Sequence, residues 1–154
     1  MTATAGSHTT RHATAEAFAT ATTSVSAATY ADLTGVTISL AAGTWLVLLT
    51  VVGEAVNTLF LMMAAITDGA NTVVAEGAQG VPASGAASVN NVGTCTIAVI
   101  VAPIGTTTYK GRAARGLTTL TATWTALDGS GYNTANQATN NTDKGTSIRA
   151  FRVA

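Results

Sequence analysis

His8 and His12 stand four residues apart, a spacing that would put two imidazoles on one helix face and within reach of a single metal ion. No third ligand lies near them, and they fall in a segment of small residues, so no metal site is expected there. The carboxylates Asp32, Glu54, Asp68 and Glu76 could hydrolyse a glycosidic bond if two of them converged across a sugar. Their positions at strand ends and turns predict solvated rim sites instead. The chain carries no Gly-x-Ser-x-Gly elbow, phosphate loop or dinucleotide fingerprint, the local signatures of acyl transfer and nucleotide chemistry. Cys95 is alone, which rules out an internal disulfide and leaves stability to packing; in an apolar run beside Thr94 and Ile97 it reads as a small buried filler. Asn140-Asn-Thr142 is a formal glycosylation sequon, meaningful only with a secretory signal. Neither catalysis nor a cofactor is expected.

The remaining polar residues point to contact. Lys110, Arg112 and Arg115 form the one local basic cluster, read either as a solvated hairpin tip at Gly116 or as a patch for an acidic protein surface or anionic glycan. Trp45 and Trp124 are expected in the core, although a tryptophan beside the polar stretch 128–145 could stack on a sugar. Arg149 and Arg152 fall on opposite faces of one strand by parity.

Those side chains sit on a chain of 154 residues with seven basic and seven acidic groups. Zero formal charge and a pI near 6.7 leave no field to attract a phosphate backbone, so nucleic acid is excluded as a partner. Only 9% of residues are charged and 47% are hydrophobic, against a norm of roughly a quarter charged. Mean hydropathy of +0.37 describes a chain that buries much of itself, and its weakly charged surface offers little resistance to association. Ala and Thr supply about two residues in five. Thr favours strands, and Ala allows close layers.

Two runs, residues 45–52 and 59–66, are apolar at both odd and even positions. Alternate strand side chains point to opposite faces, so these strands need cover on two sides, where an antiparallel domain usually wets one. The second side calls for a partner, most simply another copy of the chain. A membrane helix over 45–66 is rejected: Glu54 at its middle would cost about 2.5–3.5 kcal/mol, and each half has strand length. With Glu16 and many threonines interrupting any apolar N-terminal stretch, no secretory leader is read, and folding in a cytoplasm is expected.

Residues 1–28 form a separate segment with Phe18 as its one aromatic side chain, too little to fold by itself; it is expected to be an extended arm. From residue 29 onward, short strands alternate with turns: 36–40, the two apolar runs, an Asp68-Gly69 hairpin into 72–76, a small-residue loop at 77–85, a strand at 94–101 ended by Pro103, two strands at 106–112 and 117–125, a long polar loop at 128–145, and a closing strand at 146–153. About eight strands without a convincing helix predict an all-β antiparallel β-sandwich of jelly-roll type.

Several of these signals taken in order, Tyr30-Ala-Asp-Leu-Thr-Gly-Val-Thr-Ile-Ser-Leu40, Gly43-Thr-Trp-Leu-Val47, Asp68-Gly69 leading to Val73-Val-Ala-Glu76, and Ser147-Ile-Arg-Ala-Phe-Arg-Val153, resemble the tumour necrosis factor-like and complement-type jelly rolls of bacteriophage virion proteins. Head decoration proteins and fibre tips are among them. The resemblance covers about residues 29–154. It implies a homotrimer with one sheet facing the threefold axis, and as partner the major capsid protein of a phage shell, whose outer surface the trimer would decorate after assembly in the host cytoplasm. On this reading the capsid-contact candidates are Arg11, His12, Phe18, Lys110, Arg112 and Arg115. The trimer-interface or core candidates are Trp45, Val47, Leu49, Phe60, Met62, Val99, Val101, Trp124 and Phe151. The alternative is a receptor- or carbohydrate-binding fibre tip, using loops at 77–93 and 128–145; the absence of a long shaft favours decoration.

Overall fold

The computed structural model describes residues 14–83, 85, 90–116, 122–128 and 145–153. They form ten strands: β1 (Thr14–Phe18), β2 (Thr23–Val25), β3 (Ala31–Leu40), β4 (Trp45–Val56), β5 (Phe60–Asp68), β6 (Val73–Val81), β7 (Asn90–Val101), β8 (Thr107–Arg115), β9 (Trp124–Ala126) and β10 (Ser147–Arg152). The described residues contain no helix, so none is long and apolar enough to cross a membrane.

The strands make two antiparallel sheets. Sheet A centres on β4, which pairs along its whole length with β7; its other edge takes β10 at residues 45–50 and β9 at residues 53–54. Beyond these lie β1 on β10 and β2 on β9. Sheet B runs β3-β8-β5-β6. With the short β2 and β9 set aside, the pairs β1·β10, β3·β8, β4·β7 and β5·β6 nest first with last. A long antiparallel ribbon rolled in this way is a jelly roll, and the expected fold class stands.

Strand alternation builds the core between the sheets. In β4 the odd positions Trp45, Val47, Leu49 and Val51 are buried, as are Phe60, Met62, Ala64 and Ile66 of β5 facing them. Trp124 and Phe60 stack with ring centroids 6.1 Å apart. The layers come close where a side chain is missing: a Cβ on Gly53 would run into the Met62 sulfur and the Trp124 ring. Buried Thr146 bridges the sheet's interior, its Oγ1 accepting from Val52 N at 3.1 Å. The connection from β4 to β5 passes through Asn57 at φ 39°, the left-handed region that Asn tolerates. The 45–66 span is thus two strands, one in each sheet.

Three expectations change. The segment expected as an arm over 1–28 is sheet from residue 14 onward: Ala17 pairs with Ile148, Val25 with Trp124, and Val25 is 2% exposed. Ala and Thr carry no visible apolar period, so backbone pairing and one Val make a strand that the pattern hides. The loop expected at 77–85 continues β6 to Val81. Gly77 sits there because β6 and β7 close the sandwich edge, and a Cβ would lie 3.1 Å from Ile97. The basic residues expected around a turn at Gly116 lie on β8, which runs on through Arg115; of the strand expected over 117–125, residues 117–121 lie outside the described residues.

Candidate functional site: two outer sheet faces

The two outer faces of the sandwich differ in chemistry. On sheet B, one cross-strand row reads Asp32, Arg112, Ala65, Glu76, and the next Thr37, Lys110, Thr67, Val73. Asp32 receives both cations: Arg112 Nε lies 2.6 Å from one carboxylate oxygen and Lys110 Nζ 3.5 Å from the other. Lys110 also donates to Asn71 Oδ1 at 3.1 Å. Arg112 donates to the Tyr30 carbonyl at 2.6 Å, and the Tyr30 hydroxyl donates to Glu76 at 3.0 Å. Burial first, then the Glu76 carboxylate, push the Tyr30 phenol up to about 12, so it stays a donor throughout the neutral range. Polar groups cover most of this face, with Val73 of β6 44% exposed at its edge. Its small residues Ala65 and Ala114 are fully buried under a polar layer with balanced charge.

Sheet A leaves one end of its outer face apolar. The same registers bring Phe151, Leu46 and Ile100 into one row, and Arg149, Leu48 and Ala98 into the next. Further along come Ser147, Thr50 and Thr96, then Val52 with Thr94, then Glu54 with Val92. Ile100 is 67% and Phe151 38% exposed, while Leu46 and Leu48 are half-buried. Scattered exposed apolar side chains are ordinary; adjacent rows of them mark contact surfaces. The ion pair in the middle of this face is loose: Arg149 Nε stands 3.9 Å from Glu16 and its guanidinium lies over the Phe18 ring at 5.3 Å. A shallow depression of about 390 Å³ opens here, floored by Leu48 and Val52 and walled by Thr50, Ser147, Arg149 and Phe151.

The residues singled out from sequence now divide. Trp45, Val47, Leu49, Phe60, Met62, Val101 and Trp124 point into the core, and Val99 packs against it. Only Phe151 of that set is on the open face. The free face belongs to the even positions Leu46 and Leu48 and to Ile100, for which the signal was present: both parities of the 45–52 run are apolar. Phe18 lies under Arg149 on the same sheet. Lys110 and Arg112 are paired on the opposite sheet, Arg115 ends β8 with its amide bonded to the Ala27 carbonyl at 2.9 Å, and Arg11 and His12 lie outside the described residues. So do His8 and most of the loop at 128–145. Among the described residues no three His, Cys, Asp or Glu gather as metal ligands. Cys95 is buried, and that burial raises its thiol pKa.

No protein-family model matches this chain, and no curated protein does. Among solved structures, the chain is similar to the VP2 subviral particle of infectious bursal disease virus, at 13% identity over 93% of this chain and 37% of that one, TM-score 0.42. Structures of the Gx and Gt strains of the same virus align at 14% identity over 93% and 94% of this chain, with TM-scores of 0.41 and 0.40. The chain spans a little over a third of the length of each. The jelly-roll assignment rests on the strand registers given above.

Proposed function

We propose that this chain is a structural virion protein, a homotrimer that binds the outside of an assembled phage head and reinforces it. The observation that carries the assembly is the outer face of sheet A, where Leu46, Leu48, Ala98, Ile100 and Phe151 lie in two adjacent rows, while the outer face of sheet B carries the ion pairs of Asp32 with Arg112 and Lys110. In the trimer the sheet A faces turn toward the axis and hide these rows from one another's solvent. The link to a virion comes from the sequence signals shared with phage jelly rolls. Binding by three subunits at once explains how a modest contact on each suffices, because the second and third contacts form at high effective concentration.

Light scattering on the purified chain tests the assembly. The expected native mass is three times 15.3 kDa. A monodisperse monomer at micromolar concentration would refute it. Co-sedimentation with shells of the virus that carries the gene tests the role, and glycan binding without shell binding would favour a fibre tip.

A further inference from the structure

One ion pair sits among the apolar rows of sheet A. The row Glu16, Arg149, Leu48, Ala98 runs across β1, β10, β4 and β7, so a contact that covers Leu48 takes in Arg149 directly opposite it. In the single chain this pair is incomplete. Arg149 Nε stands 3.9 Å from Glu16 Oε2, beyond hydrogen-bond length, and the nitrogen is shielded from solvent with no hydrogen-bond partner among the described residues. The two side chains are 38% and 61% exposed, which leaves both open to a neighbour. A guanidinium that is covered without a bonded carboxylate destabilises the contact. Glu54, the other carboxylate on the strands of this face, accepts from Asn90 Nδ2 at 2.8 Å. It stands six positions beyond Leu48 on β4, about 20 Å away, so Glu16 is the carboxylate within reach.

We infer that Glu16 of each copy pairs with Arg149 of the next, closing a ring of three ion pairs that fixes the register between copies. The inference rests on the assembly proposed above and supplies its polar contact. A cyclic ring holds equivalent atoms of every copy at one height and one radius about its axis. Because Arg149 Nε and Glu16 Oε2 are 3.9 Å apart, they differ by no more than that in height or radius, whatever the direction of the axis. A neighbour's carboxylate is thus level with each guanidinium without any change of fold. On this side of the sheet β1 is the outermost strand and β10 lies next to it, so Glu16 stands on the flank and Arg149 one strand nearer the middle. A heterologous contact joins different patches of two copies, here the β1 flank of one and the β10 face of the next. Thr50 and Ser147 wall the depression beside Arg149, and their hydroxyls can donate to an entering carboxylate together with the guanidinium. Such a pair acts more on register than on affinity, since a displaced neighbour leaves both charges unpaired.

The test mixes two full-length variants, Glu16→Arg and Arg149→Glu, in about 0.15 M salt, where screening over about 8 Å leaves mainly near contacts. Sedimentation velocity over a dilution series reads the midpoint concentration of trimer formation for each variant, for their equimolar mixture and for the chain carrying both changes. Each variant alone brings like charges together and is expected to raise the midpoint about tenfold or more. A mixed trimer has two matched contacts and one mismatched, so the mixture is expected to assemble at a midpoint at least about threefold below that of either variant. The doubly changed chain is matched throughout and should trimerise as the wild type does. A mixture no better than its components would keep the pair within one chain and overturn the inference, as would unchanged midpoints for both variants; a wild-type trimer in these cases leaves the assembly standing. A wild-type monomer would overturn both. Should either reversal unfold the chain, Glu16→Gln and Arg149→Gln take their place, each expected to raise the midpoint about threefold, and no rise would overturn the inference.

Discussion

Ile100→Ala isolates the face proposed to meet the threefold axis. Ile100 stands beside Leu46 in the outermost row of sheet A and is 67% exposed in the single chain. Folding has therefore claimed only about a third of its burial, and most of the rest is available to assembly. Full burial of an isoleucine is worth about 1.5–3 kcal/mol, so the remaining two-thirds is about 1–2 kcal/mol per copy and about 3–6 kcal/mol over three copies. At about 1.4 kcal/mol per decade, the trimer dissociation constant rises roughly 10²- to 10⁴-fold. The midpoint concentration for a monomer–trimer equilibrium follows the square root of that constant, so it moves up about 10- to 100-fold. A dilution series followed by sedimentation velocity reads this shift directly. Ser39→Ala on the outer face of sheet B is the control, expected to leave the midpoint in place. An unmoved midpoint for Ile100→Ala, or an equal shift for Ser39→Ala, would refute the assignment of sheet A to the subunit contact.

Removal of residues 1–13 is expected to leave the thermal unfolding midpoint unchanged, whereas removal of 1–25 takes away β1, β2 and buried Val25 and should cost at least about 2 kcal/mol in urea unfolding; equal stability of both truncations would deny β1 and β2 their place in the sheet. Gly53→Ala forces a methyl against the Met62 sulfur and the Trp124 ring, so a loss of about 1–3 kcal/mol is expected from overpacking, measured by the same unfolding curves. Tyr30 has its phenol raised from 10.0 to about 12 in the fold, so the native state holds a proton that the unfolded chain gives up. Its contribution is complete below pH 10 and is lost as pH rises toward 12. Tyr30→Phe should flatten that part of the stability profile, and an unaltered alkaline slope would exclude Tyr30 as its source.

Much of the fold was legible because it rests on long periodic runs. The apolar stretches at 45–52 and 59–66 announced strands with two faces to cover, and both β4 and β5 are where they were read. Which parity faces inward was not legible. A run apolar at both parities carries no phase, and only the packing of sheet A on sheet B shows that Val47 and Leu49 face the core while Leu46 and Leu48 face out. The basic cluster illustrates a second limit. Lys110 and Arg112 look unpaired in their own neighbourhood, but their partner Asp32 lies 78 and 80 residues away in sequence, on β3, and reaches them only through the β3·β8 register. Gly77 shows a third: in sequence it signals a loop, in the structure it marks the close approach of two edge strands.

The separation of surfaces gives the proposed protein a division of labour that follows from strand geometry. Side chains on the outer face of sheet A are set by alternation along β4, β7 and β10, so they form a broad, regular surface suited to an identical neighbour. Sheet B offers a more polar surface. Its outer rows carry the paired groups Asp32, Arg112 and Lys110 and the bonded Tyr30 and Glu76. On the proposed reading, the apolar rows at one end of sheet A's outer face serve the contact between copies, and the polar outer face of sheet B is left toward solvent.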